Sequence, residues 1–94
     1  MKNSAIVRFL SRGEGGRLTP PIAGYKPQIK IEEVLTSCFI TPKDSTLTTM
    51  EFGIDHEVFI ELQYEDLYLQ QIRKGMEVYL YEGSRLIGHG HFAD

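Results

Sequence analysis

Two histidines close to the end of the chain have the type and spacing that metal binding requires. His89 and His91 lie two positions apart in GHGHF, so on a strand both imidazoles project from one face, with their Cα atoms about 7 Å apart. With His56 or a carboxylate as a third ligand, such a pair can hold a divalent cation. The alternative, which we favour, is a terminal strand with polar residues, in which Gly88 and Gly90 let a neighbouring segment approach closely.

The other residues with catalytic chemistry form no recognisable arrangement. Cys38 is the single cysteine, so there is no disulfide framework, and no pattern marks a base that would activate its thiol. GEGG at 13–16 is not followed by Gly-Lys-Ser/Thr and does not join a strand to a helix, so it is neither a Walker loop nor a dinucleotide fingerprint. The sequence therefore predicts a protein that is not an enzyme, has no cofactor and binds no nucleotide, with Cys38 as a buried, reduced thiol.

The stretch RGEGGRLTPPIAGYKPQ, at 12–28, combines four glycines and three prolines with Arg12, Arg17 and Lys26. Glycines beside arginines are a usual arrangement for binding an anion. Charge is also uneven: residues 1–30 carry six basic side chains and one acidic one, and residues 31–94 carry four basic and twelve acidic ones, for a net charge of −3. This asymmetry can focus an anionic partner on one face. The alternatives are a simple corner of the fold, and surface ion pairs that join Arg17 and Arg85 to acidic residues.

Alternation of apolar and polar residues indicates strands for most of the chain. The strands are predicted at 5–10, 27–32, 34–40, 57–64, 76–82 and 85–92. Two of them illustrate the inward positions: Val58, Ile60, Leu62 and Tyr64 on one, and Met76, Val78 and Leu80 on the other. A helical turn is predicted only within 65–75. Several short strands separated by turns indicate a sandwich or a barrel, and closure into a barrel removes the exposed edges.

The length of the chain predicts one domain spanning residues 1–94, because a chain of this size can bury a single core. No apolar run approaches the ~20 residues of a membrane span, and the start, MKNSAIVRFL, has too short an apolar stretch for a secretory signal. We therefore expect a cytoplasmic protein without membrane association. Formation of a homo-oligomer stays open, since a barrel can leave an apolar patch to bury against a second copy.

Two blocks of sequence resemble the third, C-terminal domain of translation elongation factor Tu. LSRGEGGRLTPPIAGYKPQIKI, at 10–31, is similar to the opening of that domain, and EVYLYEGSRLIGHGHF, at 77–92, is similar to its closing hairpin. The blocks bracket the chain, so the resemblance covers nearly all of it. It implies an all-β fold, namely a closed six-stranded antiparallel barrel of the Greek-key type, without the GTPase domain.

The resemblance also implies partners and positions. That domain contacts the T-stem of aminoacyl-tRNA, packs on the GTPase domain and meets the nucleotide-exchange factor. The positions that match its RNA-facing residues are Arg17, Gln28, Ser37, Glu82 and Gly83, and a candidate partner surface is formed by Arg12, Tyr25 and Lys26. These residue types suit an A-form stem, which is recognised through phosphates and 2′-hydroxyl groups at its shallow groove.

At two positions the sequence departs from the family. Leu18 stands where the family usually has histidine, and Tyr81 where it usually has arginine, so the predicted RNA face carries fewer positive groups. Three functions stay open: an RNA-binding module that contacts tRNA or another structured RNA, a module that binds or imitates a translation-associated protein, and a metal-dependent enzyme using His89 and His91. We expect a non-catalytic binding module of the translation-factor type.

Overall fold

Six strands form the regular structure in a computed structural model, which describes residues 3–64 and 71–93. They are β1 (Asn3–Phe9), β2 (Gln28–Ile31), β3 (Val34–Pro42), β4 (Asp55–Leu62), β5 (Glu77–Glu82) and β6 (Arg85–Phe92), with one 3₁₀ helix at Arg12–Glu14. Each predicted strand is found, with ends displaced by a few residues at most. The helical turn predicted within 65–75 lies partly outside the described residues, and residues 71–75 contain no helix. No helix in the described ranges is long and apolar enough to cross a membrane.

The strands close into a barrel in the order β1-β4-β3-β2-β5-β6, and β6 pairs with β1. Every pairing is antiparallel. Strands β2, β3 and β4 follow one another in space, while β1 lies beside β4 and reaches β2 by a long connection, which is a Greek-key arrangement. The predicted closed, six-stranded, antiparallel barrel is therefore confirmed.

Alternating side chains fill the interior. The fully buried ones include Phe9, Ile29, Ile31, Ile40, Met50, Val58, Ile60, Val78, Leu80, Ile87 and Phe92. The predicted inward position of Tyr64 is wrong: its side chain is 57% exposed, because β4 ends at Leu62 and the alternation ends with it. Met76 precedes β5 and is only partly buried against the core.

Glycines permit the closing contact between the last strand and the first. A Cβ atom on Gly90 would lie 1.9 Å from the carbonyl oxygen of Ile6, and one on Gly88 would lie 3.1 Å from that of Arg8. A side chain on Gly90 would therefore push β6 away from β1. The prediction that these glycines allow a close approach is confirmed.

Three loops meet at one end of the barrel: residues 10–27, which connect β1 to β2, residues 43–54, and the turn at 83–84. The first loop folds back sharply, since the Arg17 amide donates to the Leu10 carbonyl oxygen at 3.0 Å. A Cβ atom on Gly16 would lie 2.0 Å from that same oxygen. Gly16 therefore permits the fold-back that carries Arg17 toward the final hairpin.

Candidate functional site

Arg17, Tyr25 and Glu82 form a contact cluster at the loop end of the barrel, which we call the Arg17 corner. The Arg17 guanidinium forms an ion pair with the Glu82 carboxylate, and its Cζ atom lies 4.7 Å from the centroid of the Tyr25 ring. The Tyr25 hydroxyl donates to the same Glu82 oxygen. The Arg17 Nε atom donates to the Thr19 carbonyl oxygen at 3.0 Å. The guanidinium is thus fixed in place by a carboxylate, an aromatic ring and a backbone acceptor.

The local sequence explains why the chain positions Arg17 here. The 3₁₀ helix at 12–14 begins after Ser11, whose amide and hydroxyl both donate to the Glu14 carboxylate at 3.1 Å. Gly15 then ends the helix at φ 86°, in the left-handed region that favours glycine. On the facing hairpin, the Arg85 guanidinium lies 3.5 Å from the Gly16 carbonyl oxygen and ties the loop to the turn at 83–84.

Burial and polar contacts act in opposite directions on the pKa of Arg17, whereas burial and the hydrogen bond to Glu82 both raise the pKa of Tyr25. Burial lowers the pKa of Arg17, but its contacts with Tyr25 and Glu82 together raise the pKa by more than burial lowers it. The pKa therefore lies above its ordinary value. Burial, followed by the hydrogen bond to Glu82, raises the pKa of the Tyr25 phenol well above its usual range. Arg17 is therefore a charged donor at neutral pH, and Tyr25 is a neutral donor.

The other candidate RNA-binding residues lie beside this corner. Gln28 on β2 is directly opposite Ser37 on β3 and Tyr81 on β5, so the three residues form a row across the outer face of the barrel. Glu82 follows Tyr81 and pairs with Arg85, which leaves Gly83 in a two-residue turn at φ 62°. The fold therefore brings the five positions matched to RNA contacts onto one continuous surface.

The candidate partner residues separate into different surroundings. Arg12 is exposed on the 3₁₀ helix, whereas Tyr25 belongs to the Arg17 corner and also packs edge-on against Phe9, with the ring centroids 6.1 Å apart.

The Lys26 ammonium lies 5.7 Å from the centroid of the Phe39 ring. It borders a depression on the outer face of β3 and β4 together with Ser37, Phe39, Glu61 and Gln63. This depression is not among the predictions from the sequence; the outward position of Phe39, next to inward Cys38 and Ile40, is the sequence signal for it.

No protein-family model matches the sequence.

The histidines do not come together in the way that a metal site requires. His89 and His91 are exposed on β6, but His56 is buried, and its Nε2 atom lies 2.8 Å from the Glu51 carbonyl oxygen. The expectation that His56 could supply a third ligand is wrong, because it shares the inward face of β4 with Val58 and Ile60. Within residues 3–64 and 71–93, no three His, Cys, Asp or Glu side chains are grouped to hold a metal ion.

Cys38 is buried in the core, with its side chain 4% exposed. The thiol donates to the Pro27 carbonyl oxygen at 3.6 Å, and burial raises its pKa to about 12. A thiol that stays protonated at neutral pH is a poor nucleophile. Cys38 therefore fits a packing role, as the sequence predicts.

Proposed function

We propose that this protein is a non-catalytic module that binds structured RNA, such as the T-stem of tRNA, through the Arg17 corner. The observation that supports the proposal is a juxtaposition. Arg17 and Glu82 are 65 residues apart in the chain yet in direct contact, and the Gln28–Ser37–Tyr81 row continues the same surface. These are the positions that the resemblance to the elongation-factor domain assigns to RNA.

The side chains of this surface match the groups that an A-form stem presents. Phosphates and 2′-hydroxyl groups line its shallow groove, and recognition of double-stranded RNA relies mostly on these and on shape. The forked guanidinium of Arg17 suits a phosphate, and Gln28 and Ser37 offer hydrogen-bonding groups for sugar hydroxyls. No cofactor is needed for such binding, and tRNA would be met in the cytoplasm.

The ion pair with Glu82 limits how strongly Arg17 can bind phosphate, because a phosphate must compete with a carboxylate that is already in place. With about two or three phosphate contacts, the logarithm of the binding constant should fall with the logarithm of salt concentration at a slope of about −2 to −3. The expected dissociation constant lies in the weak range of ~10⁻⁴–10⁻⁶ M.

A fluorescence titration with tRNA at low salt tests the proposal. Arg17→Ala should weaken binding and make the salt slope shallower by about one. Arg8→Ala is the matched control: it removes the same charge from β1, where Arg8 pairs with Asp55 at 3.1 Å, and it should leave binding nearly unchanged. An absence of tRNA binding by the unmodified protein, or equal effects of the two substitutions, would count against RNA binding at this corner.

A second candidate function is binding of a translation-associated protein by the same corner. It is favoured by the compensation of the Arg17 charge by Glu82 and by the neighbouring Leu18, whose side chain is 72% exposed. An elongation factor that lacks its own third domain is the matched probe. Association that is lost in Leu18→Ser would support this function, and an absence of association in sedimentation would contradict it.

A further inference from the structure

Three aliphatic side chains that are not part of the Arg17 corner are exposed on the loop end of the barrel. Ile22 is 65% exposed, Ile54 is 52% exposed and Leu47 is 41% exposed. Ile22 forms an antiparallel bridge with Thr49, so the two side chains project from the same face. Thr49, Leu47 and Ile54 line one depression. We call Ile22, Leu47, Thr49 and Ile54 the loop patch.

The backbone beneath the loop patch is firmly held. The Met50 amide donates to the Pro21 carbonyl oxygen at 2.8 Å, and the Ala23 amide donates to that of Thr48 at 2.9 Å. Met50 itself is fully buried and anchors the loop in the core. A loop fixed in this way presents its aliphatic side chains in a preorganised arrangement, which reduces the entropy lost on binding a partner.

Carboxylates surround the aliphatic side chains. The same depression is lined by Asp44, Glu51, Asp55 and Glu57, with Lys43 as the one lysine or arginine and His56 as the one histidine among its lining groups. The Lys43 ammonium lies 5.3 Å from the centroid of the Phe59 ring, and Asp55 pairs with Arg8. An apolar patch with this rim repels the phosphates of nucleic acid and attracts lysine and arginine side chains.

We propose that the loop patch is a docking surface for a partner protein that presents aliphatic residues flanked by lysine or arginine. The aliphatic side chains would bury against Ile22, Leu47 and Ile54, while the cations would pair with Asp44, Glu51 and Glu57. The proposal does not depend on RNA binding, because the loop patch and the Arg17 corner have no residue in common.

Backbone amide NMR of the ¹⁵N-labelled protein tests this proposal with three synthetic probes. The first is a short amphipathic peptide of leucine and lysine, the second carries glutamate in place of lysine, and the third carries serine in place of leucine. We expect saturable shift changes at Ile22 and within 43–57 for the leucine–lysine peptide alone. The double substitution of Leu47→Ser and Ile54→Ser should weaken that binding about tenfold or more.

Val34→Ser is the matched control, because Val34 is 49% exposed on the hairpin at the opposite end of the barrel, and it should leave binding unchanged. Equal binding of the leucine–glutamate or serine–lysine peptide would overturn the proposal, as would shift changes confined to the Arg17 corner. Sedimentation that shows a dimer of the unmodified protein, abolished by the double substitution, would assign the surface to a second copy and would also overturn it.

Discussion

At Arg17, a carboxylate, an aromatic ring and a backbone oxygen hold the guanidinium before any ligand arrives. The Glu82 carboxylate already forms an ion pair with the guanidinium, and Tyr25 contacts both groups. Such an arrangement keeps the donor oriented but reduces the gain from binding an anion, since one favourable charge contact is exchanged for another.

From this replacement of the Glu82 contact by a phosphate contact, we predict the effect of Glu82→Gln. Removing the carboxylate charge while keeping the shape should strengthen tRNA binding, because Arg17 then gives up no ion pair when it binds a phosphate. The measurement is the fluorescence titration at several salt concentrations. Glu77→Gln is the matched control, since Glu77 accepts a hydrogen bond from Tyr79 on the same strand but has no contact with Arg17. Weaker binding by Glu82→Gln would show that the carboxylate contacts the RNA directly.

Cys38 makes a separate prediction about stability at high pH. Its pKa is raised to about 12 by burial, so above about pH 8.5 the thiol ionises in the unfolded chain but not in the folded one. Stability should therefore fall with rising pH, by about 1.4 kcal/mol per pH unit from this group. Because Tyr25 shifts in the same direction, the thiol's share is the difference between the unmodified protein and Cys38→Ala in urea unfolding between pH 8 and 11. Parallel pH profiles of the two proteins would contradict the prediction.

Among the elements, the contact of β6 with β1 depends most strictly on residue size. Gly90→Ala would place a methyl group 1.9 Å from the Ile6 carbonyl oxygen, and neither strand can yield without losing ladder hydrogen bonds. We expect a loss of roughly 3 kcal/mol or more in the free energy of unfolding, measured by urea denaturation.

Gly13→Ala is the control for this substitution. A Cβ atom there meets only the Ser11 hydroxyl oxygen, at 3.9 Å, so the change should stay within about 0.5 kcal/mol. If the two variants were equally stable, the close approach of β6 to β1 would be disproved.

Across the whole molecule, the strands and their inward faces could be predicted because alternation is a local property of the sequence. The same alternation, extended back from Val58, also indicates that His56 points inward, which argues against its use as a metal ligand. The prediction that the barrel is closed depended on the resemblance of two sequence blocks to the elongation-factor domain. The sequence alone could not identify Glu82 as the partner of Arg17, because only the complete fold brings these two positions, 65 residues apart, into contact.

The loop end of the barrel also combines two surfaces of opposite character. The Arg17 corner carries one guanidinium that suits a phosphate, and the loop patch is rimmed by carboxylates that suit a basic protein. If both proposals hold, this small module joins an RNA to a protein without using a second domain.

The pairing of the first strand with the last has a consequence for the order of the chain. The Ala93 amide donates to the Ser4 carbonyl oxygen at 2.8 Å, so the two ends of the barrel sequence emerge side by side. With a short linker there and a cut between Gly83 and Ser84, we expect a circular permutant that retains all six strand pairings. The same adjacency lets the barrel be inserted into a surface loop of another protein without forcing that loop apart.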